Sequence, residues 1–122
     1  MGIFYIFGPL LMSAAVAAEP LPDLSPTAIS AIDNYRDCVV NKALELEPAG
    51  ETAAETVSIS LPACTEKRTI AAMAILDNYR LSNGSFDEGR HAVIKLVNGQ
   101  VNGETVEIAK LAVVSQRARR AK

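Results

Sequence analysis

The single histidine of this 122-residue chain, His91, stands four residues after Asp87 and three after Glu88. On a helix, carboxylate and imidazole at those steps share one face and could begin a metal site. The helix-bundle version of that site needs a second Glu-x-x-His from another helix, and there is none. His91 is therefore expected on a solvated helix face, with no metal-ligating residue. It is also the only base available to a nucleophilic triad. The chain has no Gly-x-Ser-x-Gly, no phosphate loop and no Gly-x-Gly-x-x-Gly, so acyl transfer and nucleotide chemistry lack their usual frameworks. The expectation is no catalytic residue, no cofactor and no enzyme activity.

The other reactive side chains are two cysteines, Cys38 and Cys64, and their chemistry depends on compartment. Residues Ile3 to Ala18 carry no charge and end in Ala15-Val16-Ala17-Ala18, just ahead of Glu19-Pro20. An apolar run closed by small residues in an A-x-A-like arrangement reads as a cleaved secretory signal. The run falls short of the roughly 20 residues a spanning helix needs and is interrupted by Gly8-Pro9. Residues 1-18 are thus expected to be a signal peptide and 19-122 a single domain, periplasmic or secreted, with no transmembrane segment after cleavage. In an oxidising compartment, two cysteines read as one disulfide, Cys38–Cys64. Closing a loop of that length stabilises by roughly 3.5 kcal/mol on the chain-entropy view. A redox pair would be expected as Cys-x-x-Cys, and these cysteines are 26 positions apart.

Helices must position these groups. There is no Trp, and the aromatics beyond the signal are Tyr35, Tyr79 and Phe86. A core of Ala, Leu, Ile and Val favours close-packed helices over a sheet. Ser25 is a good N-cap and Pro26 suits the first helical position. From there Ala28, Ala31, Ile32, Tyr35, Cys38, Val39, Ala43 and Leu46 form one apolar stripe at three- and four-residue steps to about Glu47, and Pro48-Ala49-Gly50 ends it. Thr52 and Glu55 have capping-box spacing. A break is predicted at Leu61-Pro62, because proline lacks an amide hydrogen and disfavours helix in the residue before it. A new helix is predicted from Pro62 to about Ser82, with Cys64, Arg68, Ala71, Ala72, Ile75, Leu76 and Tyr79 on one face. Ser85 with Glu88 opens a helix from Phe86 to about Val97 that stops at Asn98-Gly99, and the last runs from near Glu104. The competing possibility for 93–108 is a β-hairpin around Asn98-Gly99. The fold class is all-α: a small bundle of about four helices, with a disulfide-linked helical core over 25-84 and C-terminal helices over 85-122.

Asp33-Asn34-Tyr35-Arg36 recurs as Asp77-Asn78-Tyr79-Arg80, which places two tyrosines on apolar stripes as core packing. Tyr35-Arg36-Asp37-Cys38-Val39, followed by Ala63-Cys64-Thr65-Glu66-Lys67-Arg68, resembles a pattern in small exported bacterial proteins of uncharacterised function. These share a Tyr-x-x-Cys helix and an Ala-Cys-x-x-x-Arg helix. The resemblance covers about residues 28 to 82. It implies a disulfide-linked helical pair in the periplasm and brings no activity with it.

Charge is unevenly spread. Residues 19–89 hold 12 acids and 5 bases, residues 90–122 hold 2 acids and 7 bases, and the whole chain is −2. Arg117, Arg119, Arg120 and Lys122 could contact an anionic surface weakly. Alternatively they match the helix dipole, face water, or pair with the acidic first helix. Nucleic acid does not suit an exported chain of pI 5.4. These features point to a non-enzymatic interaction or structural protein with an envelope or protein partner. The alternative is a small-ligand or metal carrier with a pocket between helices. An open apolar groove would favour the first, and a closed cavity with convergent polar groups the second.

Overall fold

The computed structural model describes residues 24–83 and 86–121. Residues 1–18, expected as a signal peptide, Ser85 with its expected capping box, and Lys122 lie outside the described residues, as do the side chains of Asp87 and Glu88. The architecture is all-α: α1 (Pro26–Leu46), α2 (Ala53–Ala63), α3 (Thr65–Asn83), α4 (Phe86–Leu96) and α5 (Asn102–Arg120), with no strand among the described residues. The hairpin alternative does not occur. The apolar positions Val93, Val97, Val101, Ala109 and Val113 are all buried, and a four-residue step suits helix rather than the two-residue alternation of a strand.

The helices form three limbs. The first is α1, and the second runs back along it as α2 and α3. The third is α4 continued by α5, whose pairings with α1 ascend together: Tyr35 with Asn102, Arg36 with Glu104, and Glu47 with Arg117 and Arg120. Packing follows: α1 touches α2, α3 and α5, and α2 touches α5, whereas the main neighbour of α4 is α3.

Local chemistry sets the ends of α1 and the start of α2. The Ser25 side chain accepts from the Ala28 amide, with Pro26 in the first turn. The backbone amide of Ser25 donates to Asn78 Oδ1 on α3 at 2.8 Å. A 3-10 turn at Glu47–Ala49 closes α1 onto Gly50, whose φ of 89° is the only left-handed conformation among the described residues. Thr52 and Glu55 form a complete capping box.

Two expected boundaries move. Helix α2 passes through Pro62 and breaks at Cys64, which has φ −111° and ψ 19°. Pro62 lacks the amide that would donate to the carbonyl four residues back, but the helix carries the loss of that one rung, and the interruption falls two residues later. There the Cys64 amide donates to Leu61 O, and Thr65 Oγ1 donates to Pro62 O. The second correction concerns Asn98-Gly99, which does not end a helix. Val97–Val101 is a π turn that joins α4 directly to α5, so the last helix does not begin afresh near Glu104. Apolar residues four apart drift about 40° per step around a helix of 3.6 residues per turn. The wider π turn takes back part of that drift and keeps both Val97 and Val101 in the core.

Candidate functional site

Both interruptions fall at mid-height, and polar contacts gather there. The sulfurs of Cys38 and Cys64 lie at bonding distance, with their α-carbons 6.0 Å apart. Tyr35, wholly buried, donates to Asn102 Oδ1 at 2.5 Å. Burial pushes its hydroxyl pKa up, against the opposing pull of the Arg68 charge. Arg36 pairs with Glu104 at 2.5 Å, and Arg68 Nη2 donates to Asn98 Oδ1 in the π turn. This waist ties all three limbs to one another.

Above it, where α1 ends, a carboxylate sits in the core. Glu47 exposes none of its side chain. Arg120 donates to both of its oxygens through Nη1 and Nη2. Arg117 Nε donates to Oε2 at 2.9 Å and Gln116 Nε2 to Oε1 at 2.7 Å. Arg117 also reaches the backbone oxygens of Glu47 and Glu51. Hydrogen bonding from Arg120 is the largest influence on the carboxyl, burial opposes it, and the net effect lowers its pKa from 4.5 to about 2. Of the four basic residues singled out in the sequence, Arg117 and Arg120 are thus brought together on Glu47. Arg119 is exposed, and Lys122 is outside the described residues. Pairing with the first helix accounts for two of them. Sequence reasoning missed Glu47 itself. The signal was present, since Glu47 follows Val39 and Ala43 at four-residue steps on the apolar stripe.

Below the waist lies an apolar cleft of about 310 Å³ between α3 and α4. Ala72 and Leu76 of α3 and Val93 and Val97 of α4 line it. Its lips are Met73, 62% exposed, and Ile94, 49% exposed. Arg68 and Arg90 also line it, and neither meets a carboxylate among the described residues. Arg68 sits at the waist beside Asn98, and Arg90 lies eight residues earlier on the third limb, about 12 Å away along the helix. Arg68 Nε is buried with no hydrogen-bond partner. Sequence reasoning placed Arg68, Ala72 and Leu76 on the inward face of their helix. They stand at its edge, half-buried, because Ala71 and Ile75 take the core positions.

His91 is exposed on α4. No group of three or more His, Cys, Asp or Glu residues that could hold a metal ion occurs among the described residues. No helix among them is long and apolar enough to cross a membrane. A second apolar surface, Ile108, Leu111 and Val114, is exposed on α5, away from the face that carries Ala109 and Val113.

Comparison with protein-family models, with curated proteins and with solved structures finds no match.

Proposed function

We propose that this chain is an exported, non-enzymatic interaction protein that receives a segment of a partner protein in the cleft between α3 and α4. The observation that carries this reading is the cleft's form. It is apolar along its floor, open along its lips and flanked by two arginines that meet no carboxylate among the described residues. A groove that leaves Met73 and Ile94 in water suits a macromolecular partner better than a small ligand, which is normally enclosed over most of its surface. Export is supported by the uncharged leader with its A-x-A-like end and by the Cys38–Cys64 pair. The Tyr-x-x-Cys and Ala-Cys-x-x-x-Arg pattern shared with small exported bacterial proteins agrees with it.

A photo-reactive residue placed at Met73, at Ile94 or at Leu111 on α5, in protein expressed in its native envelope, tests the reading. Cross-links to one defined partner are expected from positions 73 and 94, absent from 111, and lost when the other lip carries Met73→Asp or Ile94→Asp. Equal cross-linking from all three positions, or none from the lips, would sink it. Intact mass of the recovered protein should correspond to a chain beginning at Ala18 or Glu19. A full-length mass retaining Met1 would remove export from the proposal.

A further inference from the structure

The cleft also constrains the chemistry of what fills it. Resting on the interaction reading above, we infer that the partner segment is an amphipathic helix with an apolar face flanked by two carboxylates about two turns apart.

Shape is the first argument. Above the waist, α1, α2 and α5 pack on one another in a closed triangle. Below it, α4 rests mainly on α3. Two antiparallel helices with an apolar furrow between them present the ridges that a further helix packs into. The furrow between Arg90 and Asn98 spans about 12 Å, or two helical turns. That is the reach of anchors at i, i+4 and i+7 in helix-in-groove recognition. Met73 at the lip is an unbranched, adaptable side chain of the kind that accommodates such anchors.

Charge is the second argument, and it gives the helix its pattern. Elsewhere Arg36 pairs with Glu104, and Arg117 and Arg120 with Glu47, while Arg119 is exposed and does not line the cleft. Arg68 is held only by the neutral amide of Asn98, and its Nε points into protein without an acceptor. Arg68 lines the cleft, and a carboxylate arriving at its waist end would give the guanidinium a charge-assisted bond that the neutral Asn98 amide does not. Arg90 offers the same at the other end. An anionic membrane fits less well, because the two guanidiniums bracket a concavity instead of crowning a convex face.

The probe is an alanine-based peptide of about 16 residues, with Leu on one face and Glu at two flanking positions two turns apart. Its binding to the mature protein is compared with that of Gln and Lys versions by fluorescence anisotropy at low and high salt. The Glu peptide should bind about tenfold more tightly than the Gln peptide, and the Lys peptide least. Arg90→Glu should level that order, because position 90 then repels Glu and attracts Lys while Arg68 keeps its charge. The Glu peptide should lose its roughly tenfold advantage. Circular dichroism checks that the variant keeps its helices, and Arg90 is exposed.

Equal affinity for all three peptides, abolished by Met73→Asp, would overturn the charge pattern and leave the interaction reading standing. Absence of peptide binding while cross-linking at position 73 still captures a partner would do the same. Arg90-dependent retention on phosphatidylglycerol vesicles, with no peptide bound, would overturn it in favour of a lipid surface. If the lips cross-link nothing, the interaction reading fails first.

Discussion

The two halves of this bundle are built from the same helices but are finished differently. Above the waist, three helices enclose a core of Val39, Ala43, Val57, Ala109 and Val113, all essentially without exposed surface. The end is closed by a carboxylate held between two guanidiniums. Below the waist, Ala28, Ile32 and Ile75 are as deeply buried, yet α4 leans mainly on α3 and leaves an apolar furrow open. In the upper half every strong charge near the core finds its opposite within the chain. In the lower half Arg68 and Arg90 meet no carboxylate among the described residues. On the proposed reading, a fold that satisfies its own chemistry at one end and not the other divides the work between stability and binding, as rigid scaffolds with a less stable recognition surface do.

The bridge offers the largest perturbation of that division. Cys38→Ser or Cys64→Ser should lower stability by about 2–5 kcal/mol, with the double variant no worse than either single. Titration of the unfolded native protein should find no free thiol. Because the bridge anchors the start of α3 to α1, amide exchange should accelerate first in α3 and α4, while α5 stays protected by Glu47 and by its packing on α1 and α2. Uniform acceleration along the chain would mean that the halves are not separable. Two reactive thiols would remove the bridge altogether.

Next comes the charge cluster. Glu47→Gln should lower the melting temperature more than any single charge removal below the waist, since it leaves two guanidiniums facing a neutral amide. The pH dependence has a fixed sign. A carboxyl whose pKa is depressed from 4.5 to about 2 on folding contributes stability that is complete above 4.5 and is lost as pH falls toward 2. The wild type should therefore lose more stability over that window than Glu47→Gln, and parallel acid titrations of the two would refute the assignment. Replacing Arg117, Arg119, Arg120 and Lys122 together with Gln should destabilise the fold, because it strands a buried carboxylate without cations. Any salt-dependent vesicle binding then has to come from Arg119 or Lys122. The Arg119→Gln, Lys122→Gln pair tests this by co-sedimentation at low and high salt.

What could be read from the residues alone follows a physical line. Signals that act within one turn were legible: Ser25 with Pro26, Thr52 with Glu55, and the stripe that buries Ala28, Ile32, Tyr35, Val39 and Ala43. Signals whose outcome depends on neighbours were misplaced by a few residues or inverted. Pro62 is compatible with the end of a helix as well as the start of one. Asn98-Gly99 reads as a stop, but the buried positions on either side need a helix that keeps going, and tertiary packing outweighed turn propensity. The Glu47 cluster was least accessible, because it joins residues about 70 positions apart. The candidate cleft was only half visible: Arg68, Ala72 and Leu76 were grouped on one face of α3 but expected inward, and nothing local shows that α4 would leave its flank open.

The internal echo gives a smaller test. Tyr35 and Tyr79 occupy the same tetrapeptide, but Tyr35 is wholly buried and donates to Asn102, whereas Tyr79 is half-buried. Tyr35→Phe should cost about 1 kcal/mol, the usual net worth of one intramolecular hydrogen bond. Tyr79→Phe should fall within about 0.5 kcal/mol of wild type. Denaturant melts of both variants would place the two tyrosines in different roles, and equal losses would restore the equivalence that the repeat suggests.

The smallest expected effect on stability carries the most information about function. Arg90→Gln and Met73→Asp lie on the lips and flank of the cleft, and both parent side chains are exposed. Neither touches the bridge, the Tyr35–Asn102 bond or the Glu47 cluster. If the lower half is unfinished because a partner completes it, both changes should leave stability within about 0.5 kcal/mol of wild type while weakening peptide binding and lip cross-linking together. If the furrow is merely loose packing, Met73→Asp should destabilise by replacing apolar cover with charge, and no binding would change with it. Wild-type stability should also rise with the Glu peptide in excess, by mass action on the folded state. That rise should vanish in Met73→Asp, and should survive in Glu47→Gln even though that variant starts from a lower melting temperature. Stability and binding would then move independently, each following its own half of the molecule.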